Sequence, residues 1–283
     1  MATRQTHRQI GVYGSNNRNQ FELQKLFGEG PTRLAYRKET PQVPAHFTDP
    51  TDLSVCVFGF TTVKTRVKPI LDPTSEEKLR EWEERVGKDE ADCIRREATA
   101  AGKLLHRMLE RWMRGEPLGP CPIDQQPYKD ALATAILPYL HRGIPPLGIT
   151  TNGRFYPLSE LTLVDFDRGY FGRFDLVVEL AVPSVSGYVL LELKGSRREK
   201  ELDHLTDTII QVVAYLEIWE LLVQKFPDQV PSLVGVVIAY AYGTGRGDVI
   251  PITGDDLQPY RKEWCLWLDT FFELLVLAFD SAA

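Results

Sequence analysis

Apolar and polar positions along this chain fall into blocks, and the clearest block runs from residue 174 to residue 253. Two apolar runs, 174–182 and 187–193, are rich in Val, Leu, Phe and Tyr, and Pro183, Ser184, Ser186 and Gly187 separate them. Runs of this length broken by turn residues predict a β-hairpin. Residues 203–226 place Ile210, Val213, Ala214, Ile218 and Leu221 on one face and spread further apolar residues around it. That pattern predicts a helix buried against the sheet. The continuous apolar run 230–243 predicts a strand covered on both faces. A Gly-rich turn follows at 243–248, then an edge strand at 249–253 and a terminal aromatic-rich helix at 255–279.

Upstream, residues 53–60 alternate as a strand does, and 61–71 read as a short helical or extended link. Residues 75–114 have helical spacing, with Ser75 as N-cap, Glu76 and Glu77 in the first turn and an interruption at Gly87. Ile94, Ala98, Ala101, Leu105, Met108, Leu109 and Trp112 form its apolar stripe, and Gly115 marks its end. Residues 124–142 predict a further helix kinked at Pro138, and 154–166 the first core strand. Residues 1–50 are irregular, with pattern only at 10–13 and 19–27. The resulting expectation is an α/β fold. It has one mixed central sheet flanked by helices and an additional N-terminal helical region. An arm, 1–50, precedes a single domain, 51–283, whose core spans about 154–254.

Composition narrows the class. The 283 residues are 43% hydrophobic and 25% charged, as in ordinary globular proteins. No apolar run approaches the length of a bilayer span, and the first residues lack the apolar stretch of a secretory signal. The expectation is a cytoplasmic protein of a bacterial or phage-infected cell, with an organellar location left open and no membrane partner. Cys56, Cys93, Cys121 and Cys265 show no C-x-x-C spacing, so reduced, mostly buried thiols are expected, and no zinc ribbon or iron–sulfur cluster. The turn at 243–248 lacks the G-K-[ST] ending of a phosphate-binding loop, so no nucleotide cofactor is expected. A net charge of −6 disfavours tight wrapping of duplex DNA and restricts any nucleic-acid binding to a local patch.

Candidate chemistry gathers on the hairpin. Asp175 opens its first strand, and Glu192 and Lys194 close the second, two apart and so on one face. A hairpin brings those ends together. Two carboxylates suit a hard cation such as Mg²⁺ or Mn²⁺, which can activate a water and absorb charge on a phosphoryl oxygen. A lysine ammonium beside them can stabilise the charge that develops. Taken alone, the trio is also a common surface ion pair at a strand end. Gly102 and His106 share one face of the upstream helix, where a glycine allows another backbone to come close. His106 by itself reads as a helix histidine at the core edge. Gln211 and Tyr215, four apart, form a polar stripe on the helix that follows the hairpin.

These residues occur in a recognisable order: Gly102-x-x-x-His106, Glu160, Gly172-x-x-Asp175, Glu192-x-Lys194 and Gln211-x-x-x-Tyr215. The order, over about residues 55–275, resembles the PD-(D/E)xK nuclease superfamily in its RecB-type branch of mitochondrial, phage and bacterial single-strand DNA exonucleases. Phe174 stands where the superfamily name has proline. The resemblance implies a restriction-endonuclease-like core and hydrolysis of phosphodiester bonds in single-stranded DNA with a free end. It implies one or two Mg²⁺ or Mn²⁺ ions held by Asp175, Glu192, a neutral His106 and the backbone carbonyl of Leu193, with Glu160 acting through a water. Lys194 then orients or deprotonates water, and Gln211 and Tyr215 position the strand. Replication or recombination proteins are the implied partners. Candidate DNA contacts are Arg107 and Arg111, followed on their helix by Arg114, then Tyr170, Phe171, Arg173, Ser196, Arg197 and Arg198. Each of these reads equally as a solvated or packed residue. A duplex-end exonuclease of phage-recombination type and a catalytically silent nucleic-acid-binding subunit are the other readings.

Overall fold

A computed structural model of the chain describes residues 10–13, 35–37, 46–48, 56–140, 148–151, 154–157, 159–182, 185–200, 205–228 and 230–280. In chain order the first elements are β1 (Ile10–Tyr13), β2 (Ala35–Arg37), β3 (His46–Thr48), β4 (Cys56–Gly59), α1 (Phe60–Leu71), α2 (Thr74–Val86), α3 (Lys88–Met113) and α4 (Gln126–Ala131). There follow β5 (Gly148–Thr151), β6 (Arg154–Pro157), β7 (Leu161–Asp165), β8 (Tyr170–Phe174), β9 (Leu176–Val182) and β10 (Val185–Ser196). The last are α5 (Thr206–Lys225), β11 (Gly235–Tyr242), β12 (Gly247–Thr253) and α6 (Gln258–Asp280).

The predicted hairpin forms: β9 and β10 pair antiparallel, with Val182 opposite Val185 and Leu176 opposite Leu191. A parallel neighbour for β10 requires a crossover, and α5 supplies it. β11 lies beside β10 with Leu193 opposite Ala239 and Lys194 opposite Tyr240. β12 closes the edge antiparallel to β11, so this mixed sheet has the order β12-β11-β10-β9. A second mixed sheet has the order β1-β7-β8-β4-β3-β2, and β5 and β6 form a small ladder of their own.

Strand alternation gives the four-stranded sheet two apolar faces. Leu176, Val178, Leu191, Leu193, Val237 and Ala239 pack against Leu104, Leu105, Met108 and Leu109 of α3 and against Ala131 of α4. On the other face Val177, Leu190, Val236 and Ile238 meet Ile210, Val213, Ala214 and Trp219 of α5, and Trp264 and Phe271 of α6 lie in the same core. α5 is covered nearly all round, which explains why its apolar residues are not confined to a single stripe. Burial on both faces fixes the register of β10, because a slip of one residue would send its apolar set to the wrong side. The positions of Glu192 and Lys194 are fixed with it.

Several sequence expectations change. The single central sheet is two sheets, because the chain bends at Asp175 between β8 and β9. The strand expected over 154–166 is two strands in different sheets, β6 and β7, with Glu160 between them at φ 58. The helix expected over 124–142 forms but changes pitch: a 3-10 turn at Ile123–Gln125, then α4, a π-helical segment at Leu132–Ile136 and a 3-10 turn at Leu137–Tyr139 around Pro138. Ile10–Tyr13 of the expected arm pairs with β7, while 19–27 lies outside the described residues. Ser75 lies inside α2 rather than capping it, and Gly87, at φ 86, separates α2 from α3 as expected. Cys56, Cys93 and Cys121 are half-buried and Cys265 is exposed, rather than buried thiols. Among the described residues no helix is long and apolar enough to cross a membrane.

Candidate functional site

The site is built where β9 begins. Beyond the Leu176–Leu191 pair β9 offers no further backbone partner to β10, and the Leu193 N–H donates instead to Asp175 Oδ2 at 2.7 Å. Asp175 therefore takes the place of a ladder bond at the joint between the two sheets. Its own carbonyl accepts the N–H of Glu160 at 3.0 Å. That bond holds Glu160 in the left-handed conformation, which is costly for a non-glycine residue and is concentrated at functional sites.

Glu160 and α3 bring in the histidine. His106 Nδ1 lies 2.7 Å from Glu160 Oε1 and 3.4 Å from Asp175 Oδ1, and His106 Nε2 lies 3.2 Å from the Leu193 carbonyl oxygen. Ligand atoms of His106, Glu160 and Asp175 all lie within 4.8 Å of one another. Arg173 Nε is 3.1 Å from Glu160 Oε2, so it holds the carboxylate from the far side. The close packing expected at Gly102 belongs to Gly195 instead. A Cβ on Gly195 would lie 3.2 Å from Ala101 Cβ and from Leu105 Cδ1, whereas one on Gly102 would meet nothing within 4 Å.

On the other face of β10, Glu192 is buried at 3% exposure. Its Oε1 accepts from Lys194 Nζ at 2.5 Å and from Gln211 Nε2 at 3.1 Å. Gln211 also donates to the Tyr215 hydroxyl at 2.9 Å. The Tyr215 ring is buried against Gly172, where an added Cβ would lie 1.9 Å from Tyr215 Cε1. Only glycine leaves that ring its place. Gln211 and Tyr215 thus brace Glu192. Glu192 Oε2 is buried without a hydrogen-bond partner. A buried carboxylate oxygen left bare is costly, and it calls for a cation or a proton.

The electrostatics are those of a crowded acidic centre. Burial, and then the charge of Glu192, push Asp175 up to about 8. Burial opposes the charge on His106, but the Glu160 hydrogen bond and the charges of Asp175 and Glu160 outweigh it and hold the ring up to about 9. In the ion-free site the imidazole is therefore protonated near pH 7, and a neutral, ligating ring requires a cation to displace the proton. Burial also works against the ammonium of Lys194, and the Glu192 carboxylate more than restores it, so this lysine lies above the ordinary range. In the ion-free site it keeps its proton. For Glu160, burial is outweighed by the His106 hydrogen bond and the Arg173 guanidinium, which hold it below the usual carboxylate range.

The residues fit a divalent ion. His106, Glu160 and Asp175 offer one imidazole nitrogen and two carboxylate oxygens within 4.8 Å of one another, donors that suit Mg²⁺ or Mn²⁺, and the Leu193 carbonyl and the bare Glu192 Oε2 lie on the adjoining strand. Ligating histidines commonly give their other N–H to a carboxylate. The His106 Nδ1 contact with Glu160 has that form and leaves Nε2 to face the Leu193 carbonyl.

The predicted nucleic-acid contacts divide. Tyr170 is fully buried rather than exposed: its hydroxyl donates to the Ala214 carbonyl and its ring meets Trp264 edge-on. Phe171 is half-buried, with its ring under Gly59. Ser196 is buried and donates to the Arg198 carbonyl. Arg197 pairs with Glu90 and Glu97 across α3. Arg111 Nε donates to the Pro117 carbonyl, and Arg114 pairs with Glu110 and Glu116, so both fasten the loop that leaves α3. Arg107 and Arg198 are exposed. Reading the sequence missed the brace from Arg173 to Glu160 and the closeness of Gly195 to α3. A glycine directly after the E-x-K pattern was the available signal for the second. A scan against protein-family models finds no match for this chain, and neither does a search of the curated proteins.

Proposed function

We propose that this protein is a metal-dependent nuclease of PD-(D/E)xK type that hydrolyses phosphodiester bonds in DNA, preferentially in single strands with a free end. The observation that carries the reading is Asp175 bonded to the Leu193 N–H between Glu192 and Lys194, within reach of their charges, with Glu192 Oε2 buried and bare. The order of hairpin, crossover helix and parallel strand around those residues supports the same fold assignment.

Asp175, Glu192, the Leu193 carbonyl and His106 Nε2 would hold the ion. When bound, Mg²⁺ or Mn²⁺ lowers the pKa of a water and draws charge from a phosphoryl oxygen. The protein's residues do the positioning. Glu160 accepts the Nδ1–H of His106 and fixes the ring, and Arg173 fixes Glu160. Gln211, held by Tyr215, keeps Glu192 in one rotamer. Lys194 presents ammonium protons to the negative charge that builds on the phosphate in the transition state. With its proton kept, it acts as an electrostatic stabiliser.

The test is cleavage of an end-labelled single-stranded oligonucleotide with Mg²⁺, Mn²⁺ or EDTA, beside a blunt duplex. Ion-dependent shortening is expected, with Lys194→Ala slower by about 10²–10³-fold, as for loss of one such donor. Undiminished cleavage by that variant, or cleavage in EDTA, would sink the reading. Faster digestion of the blunt duplex would reassign the substrate.

A further inference from the structure

The acids of α3 are largely neutralised, and three of its exposed cations are not. Glu90 and Glu97 are taken by Arg197, Asp92 by Arg95 and Glu110 by Arg114. Arg96, Lys103 and Arg107 are exposed and form no ion pair among the described residues. At 100° per residue these three fall within about 40° of one another, on one stripe about 16 Å long. Lys103 is also the i−3 neighbour of His106, so the stripe runs directly beside the site. On a chain of net charge −6 such a run of uncompensated cations is a local feature that the overall balance does not predict. The surface on the other side of His106 is open too, since a Cβ on Gly102 meets nothing within 4 Å.

Resting on the nuclease reading of the neighbouring site, we propose that Arg96, Lys103 and Arg107 form the track on which the phosphates of a single nucleic-acid strand lie as it passes His106. Arg111, Arg114 and Arg197 are excluded from that track by their bonds within the protein. A row of cations on one helix face neutralises phosphates along one strand, and its affinity is salt-dependent because bound counterions are released. The track gives affinity without reading bases.

The test is fluorescence anisotropy of a labelled single-stranded 15-mer in EDTA, titrated at several salt concentrations. The stripe variant carries Arg96→Gln, Lys103→Gln and Arg107→Gln. A control carries Lys78→Gln, Arg85→Gln and Lys262→Gln, three exposed cations on α2 and α6, and loses the same charge. The stripe variant is expected to bind at least about tenfold more weakly, with the slope of log K against log salt reduced by about 2, at about 0.7 per lost contact. The control is expected to keep most of the wild-type affinity and its slope. Equal losses in both variants, wild-type binding by the stripe variant, or no binding by the wild type each overturn the proposal. The two readings fail separately. A wild type that binds through the stripe but never cleaves with Mn²⁺ removes the nuclease assignment alone. Cleavage with KM unchanged in the stripe variant removes the track alone.

Discussion

Asp175→Asn should make the ion-free protein more stable while destroying its hold on a divalent ion. Asp175 is 8% exposed and is pushed from an ordinary 3.8 up to about 8 by burial and by Glu192. At pH 7 the folded chain keeps a proton that the unfolded chain has released. That retained proton costs stability on the order of a few kcal/mol. An amide cannot ionise in either state, so the cost disappears. Its oxygen can still accept the Leu193 N–H. The amide brings one donor more than the protonated acid, and leaving it unpaired costs about 1–3 kcal/mol. A net gain of about 2 kcal/mol at pH 7 is expected. Urea unfolding in EDTA, followed by the fluorescence of the five tryptophans, measures it. Calorimetric titration with Mn²⁺ should show the affinity falling by at least about tenfold, from the loss of one ligand charge. A variant that is less stable than wild type and takes up Mn²⁺ as before would refute the reasoning.

Other outcomes follow from the same geometry. Both Asp175 and His106 hold protons to higher pH in the folded state than in the unfolded one, so ion-free stability should fall as pH rises from about 4 to about 9. Mn²⁺ must displace those protons, so its affinity should rise over pH 6–9, and calorimetry showing a flat profile would contradict this. Gly172→Ala places a Cβ 1.9 Å from the Tyr215 ring and should cost about 1–3 kcal/mol, with a larger loss of cleavage as Gln211 and Glu192 shift. Gly102→Ala has open space and should stabilise α3 by up to about 1 kcal/mol in the same urea experiment.

Much of the core could be read from periodicity. The hairpin, α5 and β11 were legible because burial on both faces demands long apolar runs of defined length, and those runs have few other uses. The placing of Asp175 beside the end of β10, where its carboxylate takes the Leu193 N–H, followed from hairpin geometry alone. Bends were not legible. Nothing in the local pattern of 154–166 says that Glu160 adopts a left-handed conformation, because the cause is a hydrogen bond to Asp175 from across the chain. The aromatic pair Tyr170–Phe171 shows the same limit. A tyrosine next to a turn reads as exposed, and Trp264 of a distant helix decides otherwise. Arg111 and Arg197 carry charge of the right sign for a phosphate, yet partners remote in the fold claim them.

Mn²⁺ titration of the wild type beside Glu192→Gln and Lys194→Ala, with cleavage of labelled single-stranded DNA followed in the same samples, separates holding the ion from doing the chemistry. The wild type should bind and cleave, Lys194→Ala should bind at least as tightly and cleave far more slowly, and Glu192→Gln should do neither. If Glu192→Gln takes up Mn²⁺ and shortens the oligonucleotide as the wild type does, the end of β10 is not a metal centre.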